Sequence, residues 1–348
     1  MEPICSSFSS AIDRNTLYVA FVCKLPKKPS LRTQGETKSV SHHWGYVAIL
    51  CAALLFGISI TANKILLESI SPLIIASITY IVAGTFLGAI SFLPQKTKLT
   101  SFLKLPGNTR SKPTWKDGVL LLSIALFGGV LAPSINLIGL NQTTAVSAAL
   151  LGNTETLFTI AIAFFFLGER GRPRDYAAMG LLIMGAVILT TNLNFQQIGS
   201  QGTLIGNVLV VLAAFFWGID NNLSRPLTVR GSLLHVGSLK SIIGGGLLFA
   251  IASLYGFRFV PSTFAISWLL ILGVFSVGLS LLLFLFALQQ IGAMRTGVIF
   301  STGSLFGAVF AFFVLHEPIS LVQVLAGCLM LSAIYILSIP KKQTPSLV

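Results

Sequence analysis

Acidic and amide side chains occur in this sequence at the end of a stretch that is otherwise apolar. The run Thr203–Phe216 contains one Asn and no charged residue, and it leads directly into Asp220, Asn221 and Asn222. Polar and charged groups inside a membrane are costly, so they usually face a cavity or a partner. These three residues are therefore candidates for binding a solute or for gating its passage.

A second acidic group lies close to the middle of another apolar run, residues 144–168. There Glu155 follows Asn153 and Thr154. A carboxyl group at that depth must be neutral, paired or in contact with a water-filled cavity. Glu155 is thus a candidate site for proton or cation coupling, with Asn153 and Thr154 beside it. The alternative is a structural role, in which Glu155 only hydrogen-bonds a neighbouring helix.

A basic residue at similar depth provides a partner for Asp220. Lys240 lies in the apolar run that follows, and both residues are about 8–12 Å from the same membrane face at 1.5 Å per residue. We expect an Asp220–Lys240 ion pair, because two unpaired charges there would be costly, with Asn221 and Arg225 supporting it from one helix face. The pair is either a static link between two helices or a salt bridge that opens during transport.

Further polar residues in apolar runs complete the predicted site. Asn136 is either a packing hydrogen bond or a cavity residue, and Thr302 lies in a small polar stretch of a later run. The predicted cavity and gating residues are Asn153, Thr154, Asp220, Asn221, Asn222, Lys240, Thr302, Asn136, Ser59 and Asn63. No catalytic residue, metal site or cofactor is expected, because no metal-ligand spacing, nucleophile–base pair or phosphate-binding loop is present.

The elements that must hold these residues are membrane-spanning helices. The chain has 348 residues, of which 54% are hydrophobic and 9% charged, and its mean hydropathy is +0.87. Soluble proteins are about one-quarter charged. The apolar runs lack the period-two alternation of barrel strands. Ten runs are long enough to cross a bilayer, and they are 45–67, 72–93, 118–140, 144–168, 174–192, 203–225, 232–254, 264–288, 296–315 and 320–338. The sequence predicts an all-α polytopic membrane protein with ten transmembrane helices.

The second half of the chain repeats the first. Aligning Glu169 with Glu317 needs no gap and pairs Thr154 with Thr302. A second alignment superimposes Gly57 on Gly218, Ser59 on Asp220, Asn63 on Ser224 and Lys64 on Arg225. Five helices per copy is an odd number, so the two copies should lie in inverted orientation, as in many secondary transporters. The predicted organisation is a tail 1–43, a repeat 44–192, an external connector 193–202, a repeat 203–339 and a tail 340–348.

The formal net charge of +13 comes from positive loops rather than from a nucleic-acid-binding face. Most Lys and Arg residues lie in segments that share one side when the N-terminus is cytoplasmic. We expect both termini inside and the protein in the plasma (inner) membrane. If the basic, Ser-rich tail is a transit peptide, the protein lies in an organelle membrane instead.

The motifs resemble those of the drug/metabolite transporter superfamily, EamA-like branch. The motifs that carry the resemblance are Trp217–Arg225, Phe166–Arg170, Val314–Glu317 and Arg295–Val298. The resemblance covers residues 44–340 and implies a ten-helix carrier of small metabolites, often exporting them. The sequence departs from many members near Thr156, where a proline is common, and near Tyr80, where a basic residue is common.

Three functions remain in view. The first is a secondary transporter that moves a small polar or amphipathic, amino-acid-like metabolite, with efflux the expected direction, by proton coupling or exchange. The second is a membrane enzyme, which the missing catalytic constellations argue against, and the third is a non-transporting scaffold. The expected partners are a small-molecule substrate and the lipid bilayer, with a homodimer left open and no nucleic acid.

Overall fold

The computed structural model describes residues 42–91, 114–167, 173–191, 202–230, 233–257, 262–291 and 293–338, and within these ranges the chain is helical without a β-strand. The predicted N-terminal tail, the C-terminal tail, most of the connector and the Glu169 end of the first repeat lie outside these residues. The all-α prediction is confirmed.

The helices follow the predicted apolar runs closely. They are α1 His42–Leu66, α2 Pro72–Ser91, α3 Trp115–Ile124, the π-helix π1 Ala125–Leu131, α4 Ala132–Gln142, α5 Ala145–Leu151, α6 Thr154–Leu167, α7 Pro173–Thr191, α8 Gly202–Arg230, α9 Leu233–Leu254, α10 Thr263–Ile271, the π-helix π2 Leu272–Leu279, α11 Ser280–Ile291, α12 Ala293–Phe300, α13 Gly303–Leu315 and α14 Leu321–Ser338.

Eight helical stretches in the described part of the chain are long and apolar enough to cross a membrane. Two more apolar helices, Gly303–Leu315 and Leu321–Leu337, are shorter. A crossing needs about 20 residues, and α13 falls short because α12, which precedes it, is separated from it by a two-residue turn. The polytopic membrane fold is therefore established, while the count of ten helices stays a prediction.

Equivalent helices of the two repeats make equivalent contacts. Helices α2 and α9 pack on each other, and so do α7 and α14. Helix α1 packs along α11 and α13, just as α8 packs along α4 and α6. Each repeat is thus completed by helices of the other, so the interior between them is built jointly.

The two repeats also carry irregular backbone at matching positions. The stretch Ala145–Leu167 is interrupted at Gly152 and Asn153, and the stretch 293–315 is interrupted at Ser301 and Thr302. The π-helices π1 and π2 occupy equivalent places in the third helix of each repeat. Glycine weakens a helix, and such bulges often mark functional sites. The sequence analysis treated 144–168 as one unbroken helix, and this is wrong because Gly152–Asn153 forms a turn.

Close contact between helices depends on glycine at two equivalent positions. A Cβ on Gly57 would lie 2.5 Å from the Gly303 carbonyl oxygen, and one on Gly218 would lie 2.8 Å from the Cβ of Phe158. Because both distances are well below normal contact, α1 and α8 can approach the broken helices only with glycine here. The glycines bring these helices against the turns where the polar site residues lie.

Candidate functional site

Glu155 lies in the first turn of α6, directly after the break at Gly152–Asn153. The side-chain amide of Asn221 on α8 donates to Glu155 Oε1 at 2.7 Å, and it also lies 3.2 Å from Thr159 Oγ1. Asn221 thus links the carboxyl group to the other repeat. The sequence analysis predicted that Asn221 supports the Asp220–Lys240 ion pair. In the structure the side chain of Asn221 instead hydrogen-bonds Glu155.

Asp220 and Lys240 form an ion pair between α8 and α9, so this predicted pairing is confirmed. The Asp220 side chain is 3% exposed and that of Lys240 is 22% exposed. Ser224 Oγ donates to the second carboxylate oxygen of Asp220 at 3.1 Å. Each charge therefore has a partner of opposite sign, and the carboxylate accepts a further hydrogen bond. A buried ion pair is tolerated in a low-dielectric interior under these conditions.

The ion pair bridges helices that otherwise hardly touch. Helix α9 packs mainly against α2, and α8 packs against α4 and α6. Segment π1 lies between them, and a Cβ on Gly128 would clash with the Asp220 carboxylate. Gly129 lies close to the backbone of α9, because a Cβ there would be 3.0 Å from the Lys240 carbonyl oxygen and 3.1 Å from the Gly244 Cα atom. Gly128 thus leaves the space that the Asp220 carboxylate occupies, and Gly129 allows π1 to approach the backbone of α9.

The larger cavity at the repeat junction has a volume of about 230 Å³. Its polar lining includes Glu155, Asn136 and Asn153, together with Ser301 and Ser304 from the second repeat. Asn153 Nδ2 donates to Ser304 Oγ at 3.0 Å, which joins the two broken helices across this space. Its aromatic lining consists of Phe56, Trp217, Phe284 and Phe300. The cavity can therefore hold a solute with an apolar body and a few polar groups.

A smaller cavity of about 90 Å³ adjoins the larger one and shares Phe56, Trp217 and Asn136 with it. Ser59 and Asn63, both predicted site residues, line this cavity only. Its other polar lining residues are Thr79, Tyr80 and Ser276. The indole N–H of Trp217 donates to the hydroxyl of Tyr80, so this pair forms part of the boundary between the two spaces.

Three of the predicted residues serve the backbone rather than either cavity. Asn222 Nδ2 donates to the carbonyls of Thr159 and Gly218, each at 2.9 Å. The hydroxyls of Thr154 and Thr302 donate to carbonyls three residues earlier. The bonds of Thr154 and Thr302 lie at the helix breaks, where carbonyls lose their helical partners, whereas Asn222 links the interior of α8 to the interior of α6.

The sequence analysis omitted aromatic residues that the site contains. Phe56 and Trp217 each precede an aligned glycine, Gly57 or Gly218, and both residues line both cavities. The repeat alignment could have identified this pair, because it superimposes one aromatic residue on the other. Tyr80 was noted only as a departure from family members that carry a basic residue nearby, and that departure gave no indication that it lines a cavity.

Lys64 fastens one side of the turn between α4 and α5. Its Nζ atom donates to the carbonyls of Leu140 at 2.7 Å and Thr143 at 2.6 Å. These carbonyls lie at the C-terminal end of α4, where a cation is favoured by the helix dipole. Lys64 is thus bound to the protein rather than extended towards the lipid headgroups.

Glu317 fastens the other side of the same turn. Its two carboxylate oxygens accept from the backbone N–H groups of Ala145 at 2.9 Å and Val146 at 3.0 Å, which begin α5. An anion at a helix N-terminus satisfies free donors and complements the dipole. Together Lys64 and Glu317 form what we call the α4–α5 latch, and Glu317 reaches it from the second repeat.

The comparisons with known proteins agree with this architecture. Residues 43–191 and 204–339 each match the EamA-like transporter family, and the chain belongs to that family. Because the members of this family are transporters, the chain is a membrane transporter rather than an enzyme.

A relative from Methanothermobacter thermautotrophicus, described as an uncharacterized transporter, is 38% identical over 84% of this chain and 86% of its own length. The uncharacterized transporter YetK of Bacillus subtilis is 22% identical over 90% of this chain and 93% of its own. A crystal structure with 17% identity superimposes with a TM-score of 0.57, covering 86% of this chain and 97% of the other, so the fold is shared.

Proposed function

We propose that this protein is a secondary active transporter for a small polar or amphipathic metabolite, with amino-acid-like solutes as the first class to test and efflux as the expected direction. The observation that carries the proposal is the cavity lined by Glu155 and by the broken helices of both repeats. A solute bound there contacts both halves at once. Relative movement of the halves would then expose the solute to one membrane face and afterwards to the other.

The proposed transport cycle is alternating access by two inverted five-helix repeats, ten transmembrane helices in all. With both termini cytoplasmic, the α4–α5 latch would lie at the outer face of the plasma membrane. Lys64 and Glu317 would keep that face closed in the present conformation. Opening it would require Glu317 of the second repeat to leave the N-terminus of α5 in the first repeat.

Glu155 is the proposed coupling residue. Its carboxyl group lines the larger cavity, is half-buried and accepts from Asn221, a neutral amide. A carboxyl group with this exposure and a neutral partner can exchange a proton with water in the cavity. Proton coupling or exchange would supply the energy. The structural alternative, in which Glu155 only links α6 to α8 through Asn221, needs the hydrogen bond but no group that binds and releases a proton.

The proposal predicts measurable transport in vesicles. The purified chain is reconstituted with a trapped pH indicator and presented with pools of amino acids and other small metabolites. We expect one pool to change the internal pH and to drive counterflow of a labelled member of that pool, whereas protein-free vesicles show neither. A folded chain that gives neither signal with any pool would contradict the proposed solute class and the proposed coupling, and it would favour the scaffold.

The α4–α5 latch predicts that Glu317→Gln opens the outer face more often. Charged partners of a helix end contribute up to about 2 kcal/mol in partly buried sites, so the open population should rise by up to about thirtyfold. Ala148 lines the larger cavity, and an Ala148→Cys substitution in a cysteine-free background reports access. A membrane-impermeant maleimide added from outside should label this position faster in the Glu317→Gln background.

The matched control for the latch is Asp175→Asn, which also removes a carboxylate from the first turn of a helix, here α7. Labelling at position 148 should be unaffected by this control. Equal labelling rates with and without Glu317→Gln would contradict a gating role for the latch.

A further inference from the structure

The packing of α2 against α9 shows how the two repeats correspond residue by residue. The alignment that superimposes α1 on α8 extends without a gap into α2 and α9, and there it pairs Gly84 with Gly245 and Ser77 with Ser238. A Cβ on Gly84 would lie 2.9 Å from the Ser238 carbonyl oxygen, and one on Gly245 would lie 2.8 Å from the Ser77 carbonyl oxygen. Because the two contacts are reciprocal, residues of α1 and α2 can be matched individually with residues of α8 and α9.

The same alignment gives a counterpart for each side chain at the ion pair. It pairs Asp220 with Ser59, Lys240 with Thr79 and Ser224 with Asn63. All three counterparts line the smaller cavity. Segment π2, which corresponds to π1, lines it as well through Ser276 and Val277. The smaller cavity therefore occupies, at α1 and α2, the place that the ion pair occupies at α8 and α9.

The two corresponding places are filled differently. At α8 and α9, the Asp220 carboxylate lies against Gly128 and binds Lys240, so long side chains cross the space between the helices. At α1 and α2, the short side chains of Ser59 and Thr79 leave a cavity of about 90 Å³. At about 30 Å³ for each water molecule, this space has room for roughly three waters. Protein interiors contain few voids larger than one water molecule, so a space of this size needs a reason.

The smaller cavity adjoins the α4–α5 latch. Leu140 lines the cavity, and its carbonyl accepts from Lys64 Nζ at 2.7 Å. Asn63, which also lines the cavity, directly precedes Lys64 on α1. Release of the latch would let this end of α1 shift against α4, and a close-packed interior resists such a shift. The cavity supplies space for the movement.

We propose that the smaller cavity is the working space of the outer gate, by which we mean the α4–α5 latch and the ends of α1 and α4 that it joins. Ser59 and Thr79 are gating positions, because their short side chains leave room for α1 to move when the latch is released. Asp220 and Lys240 fill the corresponding place and join α8 to α9. This inference rests on the proposed transport function and names residues that control access to its site.

Filling the cavity should keep the outer face closed. Ser59→Leu fills it from α1 and Thr79→Leu fills it from α2, and neither change introduces a charge. Overpacking penalises a conformation that needs the space. We therefore expect labelling of Ala148→Cys by the impermeant maleimide, added from outside to the full-length chain in vesicles without solute, to fall by about tenfold. Counterflow of the pool that is active in the vesicle assay should fall to a similar extent.

Transfer of the ion pair to the cavity tests the correspondence of the two places. The double variant Ser59→Asp with Thr79→Lys introduces the residues found at the counterpart positions. We expect it to melt at a higher temperature than Ser59→Asp alone, because the two new charges pair. Its labelling at position 148 should be about tenfold slower than in the parent. A double variant that melts no higher than Ser59→Asp would contradict the correspondence.

The matched controls make the same changes away from the cavity. Ser253→Leu and Thr85→Leu lie at exposed positions of α9 and α2. Both should leave labelling and counterflow unchanged. A retained melting temperature shows that each filling variant and each control is folded.

Two results would overturn the gating role. Parental labelling rates in both filling variants would leave the cavity as a packing void. Reduced counterflow with parental labelling would show that the substitutions act on solute binding rather than on access. Failure of the proposed function gives a different result, since a parent chain without counterflow of any pool contradicts the solute class, whereas the labelling rates report the gate without any solute.

Discussion

Proton-linked transport should fall to the background of protein-free vesicles when Glu155 is replaced with Gln. The substitution preserves the volume of the side chain and an oxygen that can still accept from Asn221. It removes the group that can bind and release a proton. The folded protein should therefore lose less than about 1 kcal/mol of stability, as for other conservative changes away from a packed core.

The matched control for this experiment is Glu68→Gln, which makes the same chemical change at an exposed turn. We expect it to retain full transport. Counterflow that persists in Glu155→Gln without a pH signal would keep the carrier and assign Glu155 a substrate-binding role instead. Undiminished proton-linked uptake in Glu155→Gln would contradict the coupling role altogether.

Breaking the Asp220–Lys240 pair from one side should destabilise the protein strongly. Asp220→Asn leaves Lys240 without its partner, and Lys240→Met leaves Asp220 charged with its side chain 3% exposed. Such single changes cost about 3–5 kcal/mol, whereas removal of both charges costs much less. We expect the double variant to be more stable than either single one when unfolding is followed in an SDS titration.

The control for the ion pair is Ser224→Ala, which removes one hydrogen bond to Asp220 but keeps both charges. It should cost about 1 kcal/mol. Additive losses in the double variant would refute an energetic coupling between Asp220 and Lys240.

Transport by the double variant distinguishes the two roles that remain for the ion pair. A static link between α8 and α9 predicts that transport returns together with stability. A salt bridge that opens in each cycle, or that a charged solute separates, predicts a stable protein that transports poorly. The Asp220 carboxylate lies against Gly128, where no larger side chain would fit. This position is compatible with either role of the ion pair.

The sequence alone determined the membrane class, the location of the apolar helical runs and the family. Apolar runs such as 72–93 and 203–225 predict helices because bilayer thickness sets a length that is visible locally. The repeat was readable from Glu169 and Glu317, since the alignment between them needs no gap. The Asp220–Lys240 pair also followed from depth and charge, because two isolated charges inside a membrane are costly.

Apart from the Asp220–Lys240 pair, only the tertiary structure decided which polar groups meet. The rotation of α8 about its axis brings the side chain of Asn221 to Glu155 rather than to the ion pair. Glu317 binds the N-terminus of α5, although the two are 171–172 residues apart in the sequence. Both contacts depend on how helices from different repeats pack. The breaks at Gly152–Asn153 and Ser301–Thr302 likewise depend on partners that satisfy the interrupted backbone. A single sequence states residue type and spacing, whereas these contacts arise from three-dimensional packing between distant segments.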